Sequence, residues 1–318
     1  MPETPPPALI VAGPTASGKS ALAAAVAAAR QGTVINADSM QVYRELPILT
    51  AQPDAAARAR VPHRLYGVLS AAERCSAGRW REMALAEMAA ARAAGRLPIL
   101  CGGTGLYLKA LTEGIAELPA VAPEVRAAAV ERLERLGGPA LLAELRARDP
   151  ETAARLHPND AQRLQRAWEV LEATGRGLAA WQAEAGGKPA PWRFLWIVLL
   201  PPRAALQAAC DARLEAMLAA GALEEVRALA AQGLDPGLPA MKALGVPQFA
   251  DVVAGKLPPE QGLAAAQQAT RRYAKRQATW LRTQVLRHNK HAMVMEKQFS
   301  ENQLPEIFSK IDRFLLTP

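Results

Sequence analysis

The sequence predicts an α/β fold, a parallel sheet flanked by helices with a helical insertion, and three observations lead there. Apolar runs of strand length alternate with Ala-rich stretches of helical length, the pattern of parallel strands joined by crossover helices. Three of the runs end in small residues or a carboxylate, as expected of a ligand-binding rim at the C-terminal ends of parallel strands. A long middle stretch has helical periodicity and few strand-like runs.

The first run, Ala8-Leu-Ile-Val-Ala12, leads into Gly13-Pro-Thr-Ala-Ser-Gly-Lys-Ser20 and then into an Ala-rich helical segment. Strand, glycine loop and helix in this order are a P-loop, so the core is expected to be P-loop NTPase-like. Gly13 and Gly18 let backbone N–H groups turn toward an anion, Lys19 adds a point charge, and the helix N-terminus adds partial positive charge. Gly13, Pro14, Thr15, Ala16, Ser17, Gly18, Lys19 and Ser20 are therefore the expected phosphate-binding residues, with the Ser20 hydroxyl a ligand for Mg²⁺. A plain small-residue turn is the alternative, set against a match at every required position.

The second strand, Thr33-Val-Ile-Asn-Ala37, delivers Asp38-Ser39-Met40-Gln41. A carboxylate beside the phosphate loop suits a metal ligand or a general base, and Asp38 as a helix N-cap is the alternative. The third, Leu97-Pro-Ile-Leu-Cys101, runs into Gly102-Gly103-Thr104-Gly105, a flexible loop on the same rim. The fourth, Phe194-Leu-Trp-Ile-Val-Leu-Leu200, resumes the core. The expected organisation is a core over 1–115, a helical insertion over 116–192 with breaks at Gly137-Gly138-Pro139 and His157-Pro158, and a second core part over 193–318.

Half of the 318 residues are hydrophobic, ample for a core, although alanine inflates the figure. The formal net charge is +8 and the sequence pI about 9.7, so polyanions should be attracted. Between Gln261 and Met295 there is no Asp or Glu, while Arg271, Arg272, Lys275, Arg276, Arg282, Arg287 and Lys290 lie there with Tyr273 and Trp280 interleaved. That mixture suits RNA phosphates and unpaired bases, against the alternative of a solvated helix face. Cys75, Cys101 and Cys210 form no CxxC pair and read as buried thiols, and the four histidines share no metal spacing with carboxylate or Cys partners. The segment from Pro2 to Pro7 reads as a disordered lead-in, no run approaches a membrane span, and a soluble cytoplasmic protein is expected.

The motifs GPTASGKS, NADSMQVYRE with TAQP after it, CGGTGLYLKAL and KRQATWLR, in this order, resemble the bacterial tRNA dimethylallyltransferases, also called tRNA isopentenyltransferases. The resemblance runs from the P-loop to about Arg287. It implies transfer of a dimethylallyl group from dimethylallyl diphosphate to N6 of the adenosine on the 3′ side of the anticodon, with Mg²⁺ as cofactor and diphosphate on the P-loop. It implies Asp38 as the base, Lys19 and Ser20 on the leaving group, and Arg213 as a further guanidinium on the diphosphate, where the residues alone suggest a solvated helix charge. By motif correspondence, Asp38, Ser39, Met40, Gln41, Thr104, Arg126, Gln162, Arg163, Leu164, Gln165 and Arg166 would face the tRNA anticodon stem-loop. So would Lys242, Ala243, Leu244 and Gly245, and Lys275, Arg276, Gln277, Ala278, Thr279, Trp280, Leu281 and Arg282. A monomer without membrane contact is expected.

Two places depart from the family pattern: Gln52 stands where a basic residue is usual, and Val246-Pro247 replaces an aromatic and an arginine. Both departures bear on RNA contacts and leave the diphosphate chemistry intact. The rival readings are a P-loop kinase for a nucleoside or small molecule, with ATP as donor, and an RNA-binding P-loop protein that uses nucleotide as a switch.

Overall fold

The computed structural model describes residues 4–116, 118–184, 187–289 and 291–317. The chain divides into two compact units, one made of Met1–Leu108 with Ala190–Pro318, the other of Lys109–Pro189.

The first unit is built on a parallel sheet of order β3-β2-β4-β1-β5-β6, with strands β1 (Pro7–Ala12), β2 (Gly32–Asn36), β3 (His63–Arg64), β4 (Leu97–Gly102), β5 (Arg193–Leu199) and β6 (Met293–Met295). The four runs read as strands are β1, β2, β4 and β5. The central strands are buried on both faces, which is why they are near-continuous Val, Ile and Leu rather than alternating. Pro7, assigned to the lead-in, is instead the first residue of β1, in register with Arg193, while the Pro6 carbonyl accepts a 2.9 Å bond from the Arg193 N–H. Pro2 and Glu3 lie outside the described residues.

Helices cover the sheet: α1 (Lys19–Ala29), α2 (Ala55–Arg60), α3 (Ala77–Ala93) and α4 (Gly105–Thr112), and, after β5, α9 (Arg203–Ala219), α10 (Ala222–Ala230), α11 (Val246–Val253), α12 (Pro259–Trp280) and α13 (Leu304–Leu316). One cluster joins Leu9 and Val11 of β1, Leu22 and Val26 of α1, Ile197 and Leu199 of β5, and Ile307 and Ile311 of α13. On α3 the fully buried Trp80 stacks on Tyr107, ring centroids 4.5 Å apart, and its Nε1 donates to the Asn36 carbonyl at 2.9 Å. The two short strands β3 and β6 carry too few residues to show a strand signature in sequence.

The second unit holds α5 (Pro123–Arg148), α6 (Pro150–Ala153), α7 (Ala161–Thr174) and α8 (Leu178–Glu184). α5 breaks at Gly137, whose φ of 75° is left-handed, just ahead of Pro139, which lacks an N–H for the helix ladder. Its own core packs Leu141, Leu142 and Leu145 against Leu164, Trp168 and Leu171. Arg132 pairs with Glu144 at 2.6 Å.

β1 lies between β4 and β5, and β2 beside β4, so the loops after β1, β2 and β4 emerge side by side. The register aligns Ala12 with Gly102 and Asn36 with Cys101. A Cβ on Gly102 would overlap the backbone carbonyl of Ala37, so no side chain fits there. Gly102→Ala is expected to destabilise the protein by about 2 kcal/mol or more, because backbone rather than a flexible side chain must yield. Urea unfolding with an unchanged midpoint would show that the ends of β2 and β4 are not held this close.

Candidate active site

After β1, residues 13–18 wrap the start of α1. Gly18 has φ 90° and serves as N-cap without a side-chain bond, and Ala16 is also left-handed at φ 61°. A Cβ on Gly13 would lie 2.5 Å from Ser17 Oγ, so the loop closes only on glycine. Lys19 is only 8% exposed and its Nζ donates to the Pro14 carbonyl at 3.3 Å. Burial pushes the Lys19 ammonium below its ordinary pKa and the Arg213 charge pushes the same way, while the interactions with Cys101 and Asp38 oppose this. Ser20 is exposed.

Arg213, on α9, is half-buried rather than a solvated surface charge, and its Nη2 reaches the Thr50 carbonyl at 3.4 Å. Burial lowers its pKa, and the nearby Asp38 raises it. Lys19, Ser20 and Arg213 share a cleft of about 710 Å³, whose other walls are the segment from Pro47 to Asp54, α9 and Gln298. The wall segment is held by Glu225, whose carboxylate accepts from the Ile48 and Leu49 N–H groups at 2.7 and 2.9 Å. Burial raises the Glu225 pKa, opposed by those two bonds. Gln41 is buried, its Nε2 donating to the carbonyls of Thr50 and Ala51. Gln52 lines the cleft and its Nε2 donates to the Tyr43 carbonyl at 2.8 Å, so this departure from the family pattern sits on the anion side.

Asp38 follows β2, and no helix starts there, so it is not a helix cap. The buried Asn36 side chain accepts from the Asp38 N–H at 2.8 Å and donates to the Asp38 carbonyl at 2.9 Å, which fixes the backbone on both sides. Asp38 Oδ1 accepts from the Met40 N–H at 2.9 Å, and Oδ2 has no hydrogen bond among the described residues. Thr104 Oγ1 accepts from the Ser39 N–H at 2.9 Å, and the Thr104 N–H donates to the Ala37 carbonyl at 3.3 Å, tying the loops after β4 and β2 together. Asn36 was not singled out in the sequence, although an amide closing an apolar strand is a visible signal. Gln298, which donates to the Ala16 carbonyl at 2.9 Å, carried no such signal.

Along α12, Lys275, Arg276, Thr279 and Trp280 line a groove of about 490 Å³ with Arg272 and Thr283. Arg276 lies over the Tyr273 ring at 5.4 Å. Arg271 is spent on an ion pair with Asp211 at 2.6 Å. Arg282 and Arg287 are exposed, and Lys290 lies outside the described residues. Gln277, Ala278 and Leu281, placed by motif among the RNA-facing residues, are buried instead because they lie on the inward face of the helix. Ala243 is also buried, whereas Lys242 is exposed and Leu244 half-buried; Gly245, with φ 91°, precedes α11. There Val246 faces the core and Pro247 occupies the first turn, so both residues of the second departure are absorbed by the helix start.

In the second unit, Arg126 is half-buried on α5, and Gln162 and Arg163 are exposed on α7. Arg163 pairs with Asp160 and Arg166 with Glu169, Gln165 is half-buried, and Leu164 is a core residue. Cys101 and Cys210 are buried, but Cys75 is only half-buried. Among the described residues no group of three or more His, Cys, Asp or Glu is placed to hold a metal, and no helix is long and apolar enough to cross a membrane.

A parallel α/β sheet with a glycine loop at a helix N-terminus, a carboxylate following the β2 strand and a basic helix alongside defines a P-loop protein. The IPP transferase family model matches residues 41–284, and the chain belongs to that family. It is 60% identical over 280 residues to the tRNA dimethylallyltransferase of Rhodospirillum centenum, covering 88% of this chain and 89% of the relative. The Rhodospirillum rubrum protein of the same name is 56% identical over 312 residues, 98% of this chain and 96% of the relative. Among solved structures, the full-length tRNA isopentenylpyrophosphate transferase of Bacillus halodurans has a TM-score of 0.68 at 28% identity, covering 97% of this chain and 96% of its own. A eukaryotic dimethylallyltransferase acting on tRNA has a TM-score of 0.81 at 25% identity, covering 98% of this chain and 79% of its own.

The depressed Lys19 pKa gives a pH test. With the protonated ammonium expected to hold the anion, affinity for inorganic diphosphate should fall as pH rises through that pKa, at a pH below the ordinary lysine value of 10.5. In Lys19→Arg this limb should vanish, since a guanidinium stays charged throughout. Calorimetric titration in the neutral to alkaline range checks it, and an identical limb in both proteins would remove Lys19 as its source.

Proposed function

We propose that the protein transfers a dimethylallyl group from dimethylallyl diphosphate to N6 of the adenosine on the 3′ side of the anticodon in tRNA, releasing diphosphate. The observation that carries the reading is that the buried Lys19 ammonium and the half-buried Arg213 guanidinium line one cleft, and that the nearby Asp38 carboxylate raises the pKa of each. The name of the relatives, tRNA dimethylallyltransferase, supports transfer of a dimethylallyl group to tRNA.

An exocyclic adenine amine is a poor nucleophile because its lone pair is delocalised into the ring. As the C–N bond forms, Asp38 takes the N6 proton, and its unengaged Oδ2 is the atom placed to do so. The allylic C–O bond breaks, its electron pair leaving with the diphosphate. Lys19, Arg213 and the P-loop N–H groups sit where negative charge develops, so they act most strongly in the transition state. The chemistry of the donor set fits Mg²⁺: one exposed hydroxyl, Ser20, with no carboxylate cage among the described residues, suits an ion that takes its other ligands from water and phosphate oxygens. Held there, it would neutralise charge on the leaving diphosphate.

RNA would lie along the groove of α12, its phosphates on Lys275, Arg276 and Arg282 and a base on Trp280, with the target adenosine taken out of its stack toward Asp38. Arg126, Gln162 and Arg163 of the helical unit would add contacts to the stem-loop. On this reading the enzyme works in the cytoplasm, where tRNA is found, and as a monomer.

Incubation with Mg²⁺, dimethylallyl diphosphate and an unmodified anticodon stem-loop should add the mass of one prenyl group to that adenosine. No gain, together with ATP-dependent phosphate transfer, would make the protein a kinase. Asp38→Ala should slow transfer by about 10²- to 10⁴-fold with RNA affinity nearly unchanged, and near-normal turnover would remove Asp38 as base. Arg276→Ala should weaken RNA binding and reduce the slope of log affinity against log salt by about 1. An unchanged slope would place Arg276 away from the phosphates.

A further inference from the structure

We infer that Gln277 is a positioning residue that braces the P-loop against the loop after β4, fixing the diphosphate relative to the acceptor base. The inference rests on the reaction proposed above. Gln277 lies on α12, two residues from Lys275 and next to Arg276, yet it is only 5% exposed. Its Oε1 accepts from the Thr15 N–H of the P-loop at 2.9 Å, and its Nε2 donates to the Gly103 carbonyl at 3.0 Å. One side chain thus joins the helix with the RNA groove to both halves of the site.

The fit around this amide is tight. A Cβ on Gly103 would overlap Gln277 Nε2 and stand 2.8 Å from the Gly13 carbonyl oxygen. One turn further on, a Cβ on Gly105 would overlap the Trp280 indole, so the same helix docks on both sides of Thr104. Thr104 in turn holds Ser39, the neighbour of Asp38. The path from the P-loop through Gln277 and Gly103 to Thr104 and Asp38 is therefore continuous.

The residue type is determined by the two ends. Thr15 presents a donor and Gly103 an acceptor, and a primary amide is the side chain that answers both. Glutamate would keep the acceptor but set a carboxylate against the Gly103 carbonyl, methionine offers neither, and asparagine is one methylene short. Because the Thr15 N–H is already committed, it holds the loop's shape rather than the anion. Reactions of this kind are sensitive to placement, with an error of about 1 Å able to cost about 10²-fold in rate.

The test compares wild type with Gln277→Met, which keeps volume and removes both bonds. Inorganic diphosphate affinity by calorimetry should fall several-fold and single-turnover kcat should fall about 10- to 100-fold, while stem-loop affinity stays within about twofold. Gln277→Glu should be comparably slow. Gly103→Ala, whose Cβ displaces the amide and also presses on the Gly13 carbonyl, should be at least as slow. A folded Gln277→Met with wild-type diphosphate affinity and kcat overturns the inference, as does a loss of RNA affinity in step with kcat, which would make Gln277 an RNA contact. Should Gln277→Met not fold, Gln277→Glu carries the same comparison. If wild type transfers no prenyl group, the reaction assignment fails, and the diphosphate titration alone still decides the brace.

Discussion

The site depends on the close approach of the C-terminal ends of β2 and β4, where Gly102 lies so near the Ala37 backbone that no side chain can intervene. That approach brings the Asp38 loop beside the Thr104 loop, and the pairing of β4 with β1 brings both beside the P-loop. Parallel strands emit their loops on one rim, so a phosphate cradle, a carboxylate and a small-residue loop that are distant in sequence become neighbours. The buried Asn36, held by Trp80 through its carbonyl and holding Asp38 at both backbone groups, carries this geometry to the carboxylate itself.

Electrostatics follow from that frame. Burial lowers the pKa of both Lys19 and Arg213, and the Asp38 carboxylate opposes that shift in each. On the proposed reaction, a diphosphate entering the cleft would neutralise charges that the fold leaves partly uncompensated, and the attraction would strengthen as the diphosphate leaves with its electron pair. On α12 the division is different. Exposed Lys275 and Arg276 face the groove, whereas Arg271 is tied to Asp211 and Gln277 is turned inward. The basic helix thus has two surfaces, one exposed and cationic and one turned to the core.

The P-loop and the strands around Leu9, Ile35, Ile99 and Ile197 were legible because each follows from local pattern: an apolar run, a turn chemistry, a helix start. The α/β fold with its parallel sheet followed from those pieces. β3 and β6 were not legible, being two and three residues long and defined only by their partners. Inward-facing residues within a motif were the other blind spot. KRQATWLR reads as one basic segment, and only helical geometry separates Lys275 and Arg276 from Gln277, Ala278 and Leu281. The role of Gln298 depends on a contact across 282 positions with Ala16, for which no local pattern exists. That Val246-Pro247 forms the first turn of α11 is consistent with the proline, which suits the start of a helix.

In the proposed reaction one rim places a diphosphate on the P-loop and an adenine amine on Asp38 at the same time. The most direct measurement is a crystal structure with Mg²⁺, a non-reactive thio-analogue of dimethylallyl diphosphate and an anticodon stem-loop. The account predicts phosphate oxygens on Lys19 and Arg213 and the adenosine N6 at hydrogen-bond distance, about 3 Å, from the Asp38 carboxylate. An adenosine still stacked in its loop, or seated with its N6 away from Asp38 while the diphosphate occupies the P-loop, would contradict it.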